Sequence, residues 1–266
     1  MTTPDLVGLR RLAEQLATGT AELAATGRRR LDLETQTKSS PTDLVTRWDH
    51  ACEEHLAHEL ARLRPEDGLI GEEGAARPSS TGLEWIVDPI DGTTNFVYDL
   101  STWSVSVAVR DSSGVLAGAV AVPGWNEVFS AHRGGGATCN GETIQPAPTT
   151  DLARALVATG FSYAAETRRA QAARMALLLP QVRDMRRLGS AALDLCLVAS
   201  GRVDVYFEEH LNTWDVAAGE LIATEAGCRS GDFRGGPARP EQILVCTPAL
   251  FDPMAAMLDG VAGSSL

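Results

Sequence analysis

The chain has 266 residues, 44% of them hydrophobic and 22% charged, with a formal net charge of −12. That length suits one large domain or two closely packed subdomains, and the charge argues against a nucleic-acid groove or a surface that docks on anionic lipid. No basic and apolar leader opens the chain and no apolar run approaches membrane length, so the expected setting is the cytoplasm.

Residues 5 to about 33 have helical period, with Leu6, Leu9, Leu12, Leu16 and Leu23 on one stripe. Lys38-Ser-Ser-Pro41 reads as a loop. Thr42 or Asp43 can cap a second helix that runs to about Leu63, just ahead of Pro65. On that helix His50, His55 and His58 lie among Glu53, Glu54 and Glu59, a pattern that suggests a solvated face and not a metal site. Leu69-Ile-Gly-Glu-Glu73 is a short strand ending in acid, and a Gly/Pro/Ser-rich loop follows. Trp85-Ile-Val87 then reads as a buried strand that ends in Asp88 and Asp91, with Gly92-Thr-Thr-Asn95 as a turn opening a helix.

From Trp103 to His132 the period changes to two. Val105, Val107 and Val109 alternate with Ser104, Ser106 and Ala108, Ser112-Ser-Gly114 makes a turn, and 115–122 and 128–131 continue as antiparallel strands. Gly134-Gly-Gly136 and the Pro146/Pro148 loop predict a boundary near residue 150, dividing the chain into 1–150 and 151–266. Beyond it the pattern predicts strands at 156–159, about 183–188, 203–207 and 243–246. Helices are expected at about 166–179, 190–200 and 213–226, with a short one before the polar tail Gly263-Ser-Ser-Leu266. Helices alternating with strands imply an α/β protein built in layers. The five cysteines form no CxxC pair and read as reduced, mostly buried thiols. Of the 23 basic residues 22 are arginine, and the single lysine, Lys38, is a candidate for a place that needs a compact ammonium.

Glu72, Asp88, Asp91 and Asp215 all fall at the edges of predicted elements, where carboxylates from separate segments can converge in one crevice. Pro89 biases Asp88 toward an extended conformation and removes a backbone donor, which lets the Ile90 carbonyl turn toward the same point. Oxygen donors of this kind suit Mg2+ at roughly 2.0–2.1 Å, with waters and a substrate phosphate completing the octahedron. A threonine hydroxyl held by a carboxylate, as Thr93 and Asp49 would provide, makes a proton path from an attacking water.

Lys38-Ser-Ser-Pro-Thr-Asp-Leu-Val-Thr46, Gly71-Glu-Glu73, residues 85–96, Arg187-Leu-Gly-Ser-Ala-Ala192, Trp214-Asp215 and Glu225-Ala-Gly227 occur in the order found in the inositol monophosphatase family. The chain resembles that family over residues 35–230. The resemblance implies a layered αβαβα sandwich of the inositol monophosphatase and fructose-1,6-bisphosphatase type, usually homodimeric. It implies Mg2+-dependent, lithium-sensitive hydrolysis of a small phosphorylated polyol or amino-alcohol, with two or three Mg2+ per active site. Carried over by position, Glu72, Asp88, Asp91, Asp215 and the Ile90 carbonyl are the metal ligands. Glu72 and Thr93 position the attacking water, with Asp49 behind Thr93. Gly92 and Thr93, with Thr94 beside them, cradle the phosphate, and Lys38 lies near it and the outer metal. Ser190, Ala191, Glu208 and Asp215 meet the alcohol.

Inositol 1-phosphate is the substrate the resemblance favours, with histidinol phosphate the alternative on the same fold. Nucleotide 3′-phosphates and fructose 1,6-bisphosphate fit less well. The Glu208-Glu-His-Leu211 and Asn212-Thr213 stretches are not diagnostic of the alcohol. A different class of function, a non-catalytic partner of the transcription machinery, is opposed by the intact set of acids.

Overall fold

The computed structural model describes residues 4–29 and 33–262. The first helix, α1 (Leu6–Arg28), is capped by Asp5, whose carboxylate accepts from the Gly8 N–H. Its buried stripe joins Leu9 and Leu16 to Ala13, Ala17, Ala21 and Ala24, small residues that let it lie close against a sheet. Residues 30–32 of the expected helix, and the polar tail, lie outside the described residues.

The expected loop around Lys38 is the tip of a small hairpin, β1 (Gln36–Thr37) with β2 (Leu44–Val45). Helix α2 (Arg47–Leu63) starts later than the sequence suggests. Its cap is Thr46, and not Thr42 or Asp43, because Thr46 and Asp49 satisfy each other in a capping box. Next come β3 (Gly68–Gly71), β4 (Ala76–Arg77), β5 (Glu84–Asp91), the five-residue α3 (Thr93–Val97), β6 (Ser104–Asp111), β7 (Gly114–Val122) and β8 (Glu127–His132). They are followed by β9 (Ala137–Cys139), β10 (Glu142–Thr143), β11 (Leu156–Thr159), α4 (Ala165–Leu178), β12 (Asp184–Arg186), α5 (Ala191–Ala199) and β13 (Val205–Glu209). The order ends with α6 (Thr213–Glu225), β14 (Arg229–Gly231), β15 (Gln242–Cys246) and α7 (Phe251–Ala262).

Eight strands form one sheet in the order β10-β9-β8-β7-β6-β5-β3-β4, and five form another in the order β12-β11-β13-β15-β14. The period of two assigns the faces. Trp85, Val87, Val105, Val107 and Val109 pack on α1 and α2, whereas Ile86, Ala108 and Val120 face α5 and α6. On the second sheet Tyr206, Ile243 and Val245 face α5 and α6 from the other side, and Val205, Phe207 and Leu244 pack on α7 and the end of α4. The layers are therefore helix, sheet, helix, sheet, helix, the mixed α/β sandwich that the motifs imply. Both faces of β6 are covered, so its serines are buried along with its valines. All five cysteines are free thiols, four of them buried. Among the described residues no helix is long and apolar enough to cross a membrane.

Candidate active site

A β-bulge organises the acids. Asp88 pairs with Ser106 and Asp91 with Ser104, so β5 spends three residues where β6 spends two. In a regular strand, residues three apart point to opposite faces; the extra residue cancels that, and both carboxylates reach the same cavity. The strand runs through Asp91, so both aspartates belong to its end, as the sequence suggests. Pro89, which cannot donate to a ladder, sits within the bulge, and the Ile90 N–H donates to Asp88 Oδ1 at 3.0 Å. Gly92 turns the chain at φ +93°, where a Cβ would lie 2.9 Å from the Gly189 carbonyl oxygen, so glycine is required there.

Other elements bring the remaining groups to this cavity, whose volume is about 430 Å3. Glu72 follows β3. Lys38, at the hairpin tip, donates to Glu72 Oε1 at 2.9 Å and also contacts Glu73. Burial works against the Lys38 ammonium, but Glu72 and Glu73 outweigh it and raise its pKa. Asp215, in the first turn of α6, accepts from the Asn212 N–H at 2.6 Å. Asp91 Oδ2 accepts from the Ser190 hydroxyl and the Ala192 N–H, each at 2.7 Å, at the start of α5. On β13, Tyr206 and Glu208 point the same way, and the buried Tyr206 hydroxyl donates to Glu208 Oε2 at 2.7 Å.

These acids strain one another electrostatically. Burial raises Asp88 well above the ordinary carboxylate range, and the charges of Glu72, Asp91 and Asp215 push the same way. Asp215 is raised by burial and by Asp91, and Asp91 is raised by burial to about 6 against the pull of Ser190 and Ala192. Burial lifts Glu208 to about 7. Asp49, at the start of α2, is lifted by burial to about 6 although Thr46 stabilises its charge; its Oδ1 accepts from the Thr93 hydroxyl at 3.0 Å.

Lys38, Glu72, Asp88, Asp91, Gly92, Thr93, Ala191, Glu208 and Asp215 line one cavity, as nine of the thirteen positions singled out from the sequence. Asp49, Ile90, Thr94 and Ser190 stand behind its wall: Asp49 holds Thr93, and Ser190 caps α5 and holds Asp91. Hard oxygen donors and unbalanced negative charge fit a divalent cation in kind. As the side chains lie, however, no three Asp, Glu, His or Cys groups among the described residues are drawn close enough to enclose one. Each carboxylate is turned toward the donor that anchors it.

Glu53 departs from the solvated face that the sequence suggests. It is only 4% exposed, and both its oxygens accept backbone N–H groups of the turn after Glu72. The helical spacing Asp49, Cys52, Glu53, Leu56, Leu60 marks it as inward-facing, a signal that the surrounding histidines obscure. Tyr163, Arg187 and His210 also line the cavity; Tyr163 lies in no motif, and Arg187 and His210 lie in stretches whose pattern gives neither of them a role of its own.

A model of the inositol monophosphatase family matches residues 5–259. The chain is 42% identical over 285 residues to an inositol-1-monophosphatase of Mycobacterium leprae, covering 99% of this chain and 98% of that protein. It is 44% identical over 211 residues to the Nus factor SuhB of Pasteurella multocida, covering 78% of each. The solved structure of Mycobacterium tuberculosis SuhB superposes with a TM-score of 0.84 at 36% identity, covering 98% of this chain and 99% of that one.

Proposed function

Because the chain belongs to the inositol monophosphatase family, we propose that it is a Mg2+-dependent phosphatase acting on a small phosphorylated polyol, with inositol 1-phosphate as the first candidate. The observation that carries this reading is the convergence of Glu72, Asp88, Asp91 and Asp215, from three separate parts of the chain, on a cavity that also holds Lys38 and Thr93. The anchored carboxylates of Asp88, Asp91, Glu72 and Asp215 would hold the cation with the Ile90 carbonyl. When bound, Mg2+ supplies an acidified water for in-line attack and charge stabilisation for the leaving alkoxide.

The chain's own groups supply the rest. Thr93 donates its one proton to Asp49, which leaves the hydroxyl oxygen free to accept a proton from the attacking water. Glu72 faces the same water. The N–H groups at Gly92 and Thr93, with Thr94 beside them, steady the phosphate oxygens, and the Lys38 ammonium offsets their charge. Glu208 Oε1, across from the oxygen held by Tyr206, accepts a hydroxyl of the alcohol, with Ala191 as the neighbouring wall.

Histidinol phosphate is the competing substrate, since a carboxylate at Glu208 accepts from an ammonium as readily as from a hydroxyl. The Nus factor name of the Pasteurella relative supports an additional role as a partner of the transcription machinery. We also read the protein as a lithium-sensitive homodimer, with subdomains 1–150 and 151–266, in the cytoplasm; the free thiols agree with a reducing compartment. The deciding experiment is phosphate release from inositol 1-phosphate, histidinol phosphate, fructose 1,6-bisphosphate and 3′-phosphoadenosine 5′-phosphate, with Mg2+ and with chelator. Mg2+-dependent turnover greatest on inositol 1-phosphate is expected. Turnover of none of them, or turnover indifferent to chelator, refutes the reading.

A further inference from the structure

Helix α2 presents two carboxylates to the site, one turn apart. Asp49 reaches Thr93; Glu53, four residues on, reaches the turn that carries Glu72. Glu53 Oε2 accepts from the Glu73 N–H and Oε1 from the Ala75 N–H, each at 2.7 Å. The turn itself is closed by the Gly71 N–H donating to the Ala75 carbonyl at 2.8 Å, and it bends through Gly74 at φ +108°. Gly71 lies directly on the carboxylate: a Cβ there would come 2.3 Å from Glu53 Oε2. The two N–H groups reach different oxygens of Glu53, so both terminal atoms of the side chain must be acceptors. Glutamate has them at this length and glutamine has one. Burying a carboxylate costs free energy unless hydrogen bonds of this kind compensate it, so its place here is tied to the turn.

We propose that Glu53 is a positioning residue for hydrolysis, gripping the 72–75 turn so that Glu72 faces Asp88 and, together with Asp49 on the same helix, setting the separation between Glu72 and Thr93. The inference rests on Glu72 being a cation ligand, as in the reading above. Glu53→Gln turns an amide NH2 against a backbone N–H. The turn retreats from that clash, and Glu72 moves off the cation while the groups on β5 stay in place.

The test uses the full chain: wild type, Glu53→Gln, and Glu54→Gln as the exposed neighbour on the same helix. Mn2+ binding is measured by calorimetry, Mg2+ activation by phosphate release from inositol 1-phosphate, and folding by thermal melting. Glu53→Gln is expected to bind Mn2+ about 10–100-fold more weakly, with the Mg2+ activation midpoint shifted in step and kcat at saturating Mg2+ nearly kept. Glu54→Gln matches wild type. Should Glu53→Gln fail to melt cooperatively, Gly71→Ala, which presses a methyl on the same carboxylate, is expected to give the same weakening. A folded variant with wild-type Mn2+ affinity overturns the inference, as does a fall in kcat without a change in metal affinity. A wild-type protein that binds no Mn2+ overturns the cation reading and this inference with it.

Discussion

Asp49→Asn separates the two tasks of one carboxylate. Asp49 Oδ2 accepts from the Thr46 N–H at 2.7 Å and the Thr46 hydroxyl at 2.6 Å, while Oδ1 accepts from Thr93 at 3.0 Å. The Thr93 hydroxyl has one proton and a second acceptor in reach, the Ile90 carbonyl at 3.1 Å. Asparagine keeps its single oxygen where two donors converge, at Thr46, and turns its NH2 to Thr93. Thr93 then accepts from the amide and donates to Ile90 O, so the path proposed for the water's proton no longer ends on a carboxylate and the carbonyl proposed for the cation is occupied. Loss of a positioned proton acceptor costs about 10^2–10^4 in rate, equivalent to ~3–5 kcal/mol of barrier. The cap itself is worth about 1 kcal/mol, a melting shift of roughly 2–4 °C in a chain of this size. The two effects therefore differ by several kcal/mol and are read separately, kcat at saturating Mg2+ and substrate on one side and thermal melting on the other. A variant with kcat close to wild type refutes the proton path. One whose lost activity is matched by a lost fold refutes the separation of tasks.

Three further outcomes follow from the same geometry. Asp49 and Asp91, near 6, and Glu208, near 7, hold protons in the native state that the unfolded chain has released, because burial raises them all. The cation-free protein should therefore lose stability as pH rises from about 4 to 7, at up to ~1.4 kcal/mol per unit for each group, and a flat or rising series of urea melts in EDTA contradicts this. Acids with lowered values, such as Asp67, whose burial is outweighed by Arg64, Thr81 and Trp85, finish ionising in the unfolded chain by about pH 5, so they offset the fall only at the bottom of that window. Tyr206→Phe removes the donor to Glu208 Oε2 and should raise KM for inositol 1-phosphate while leaving hydrolysis of an aryl phosphate, which has no hydroxyl to place, unchanged; equal effects on both substrates would reassign Tyr206 to the core. Gly92→Ala forces a left-handed alanine against the Gly189 carbonyl, at a cost of at least ~1–2 kcal/mol, and a melting point equal to wild type would show that the turn relaxes freely.

How much of this was legible depended on the range of the interaction. The strand at 156–159, the helix that follows Ser190 and the period of β6 are local patterns, and they stand where periodicity puts them. The start of α2 was misplaced because three candidate caps lie within five residues, and the choice among them depends on Asp49, whose other oxygen is claimed by Thr93, 44 residues away. Glu53 is the instructive miss. A glutamate among histidines and other glutamates resembles surface, and the two N–H groups that make it core belong to a turn 20 and 22 residues downstream. Three further cavity residues were given no role for a related reason. Tyr163, Arg187 and His210 come from loops after β11, β12 and β13, and loop residues meet in a way no spacing encodes.

The bulge in β5 explains why these long-range partners matter more here than in an ordinary strand. An inserted residue brings Asp88 and Asp91 to one cavity, but it also interrupts the ladder between them and leaves like charges facing each other. Something outside the strand must hold that conformation, and it comes from both sides. The start of α5 takes Asp91 through Ser190 and Ala192, and the start of α2 takes Thr93 through Asp49 and the Glu72 turn through Glu53. The two helices lie on opposite faces of the eight-stranded sheet. An acidic cluster assembled on a single face could relax by moving away from its supports. This one is clamped through the sheet, so its mutual repulsion favours the cation we propose over movement of the backbone.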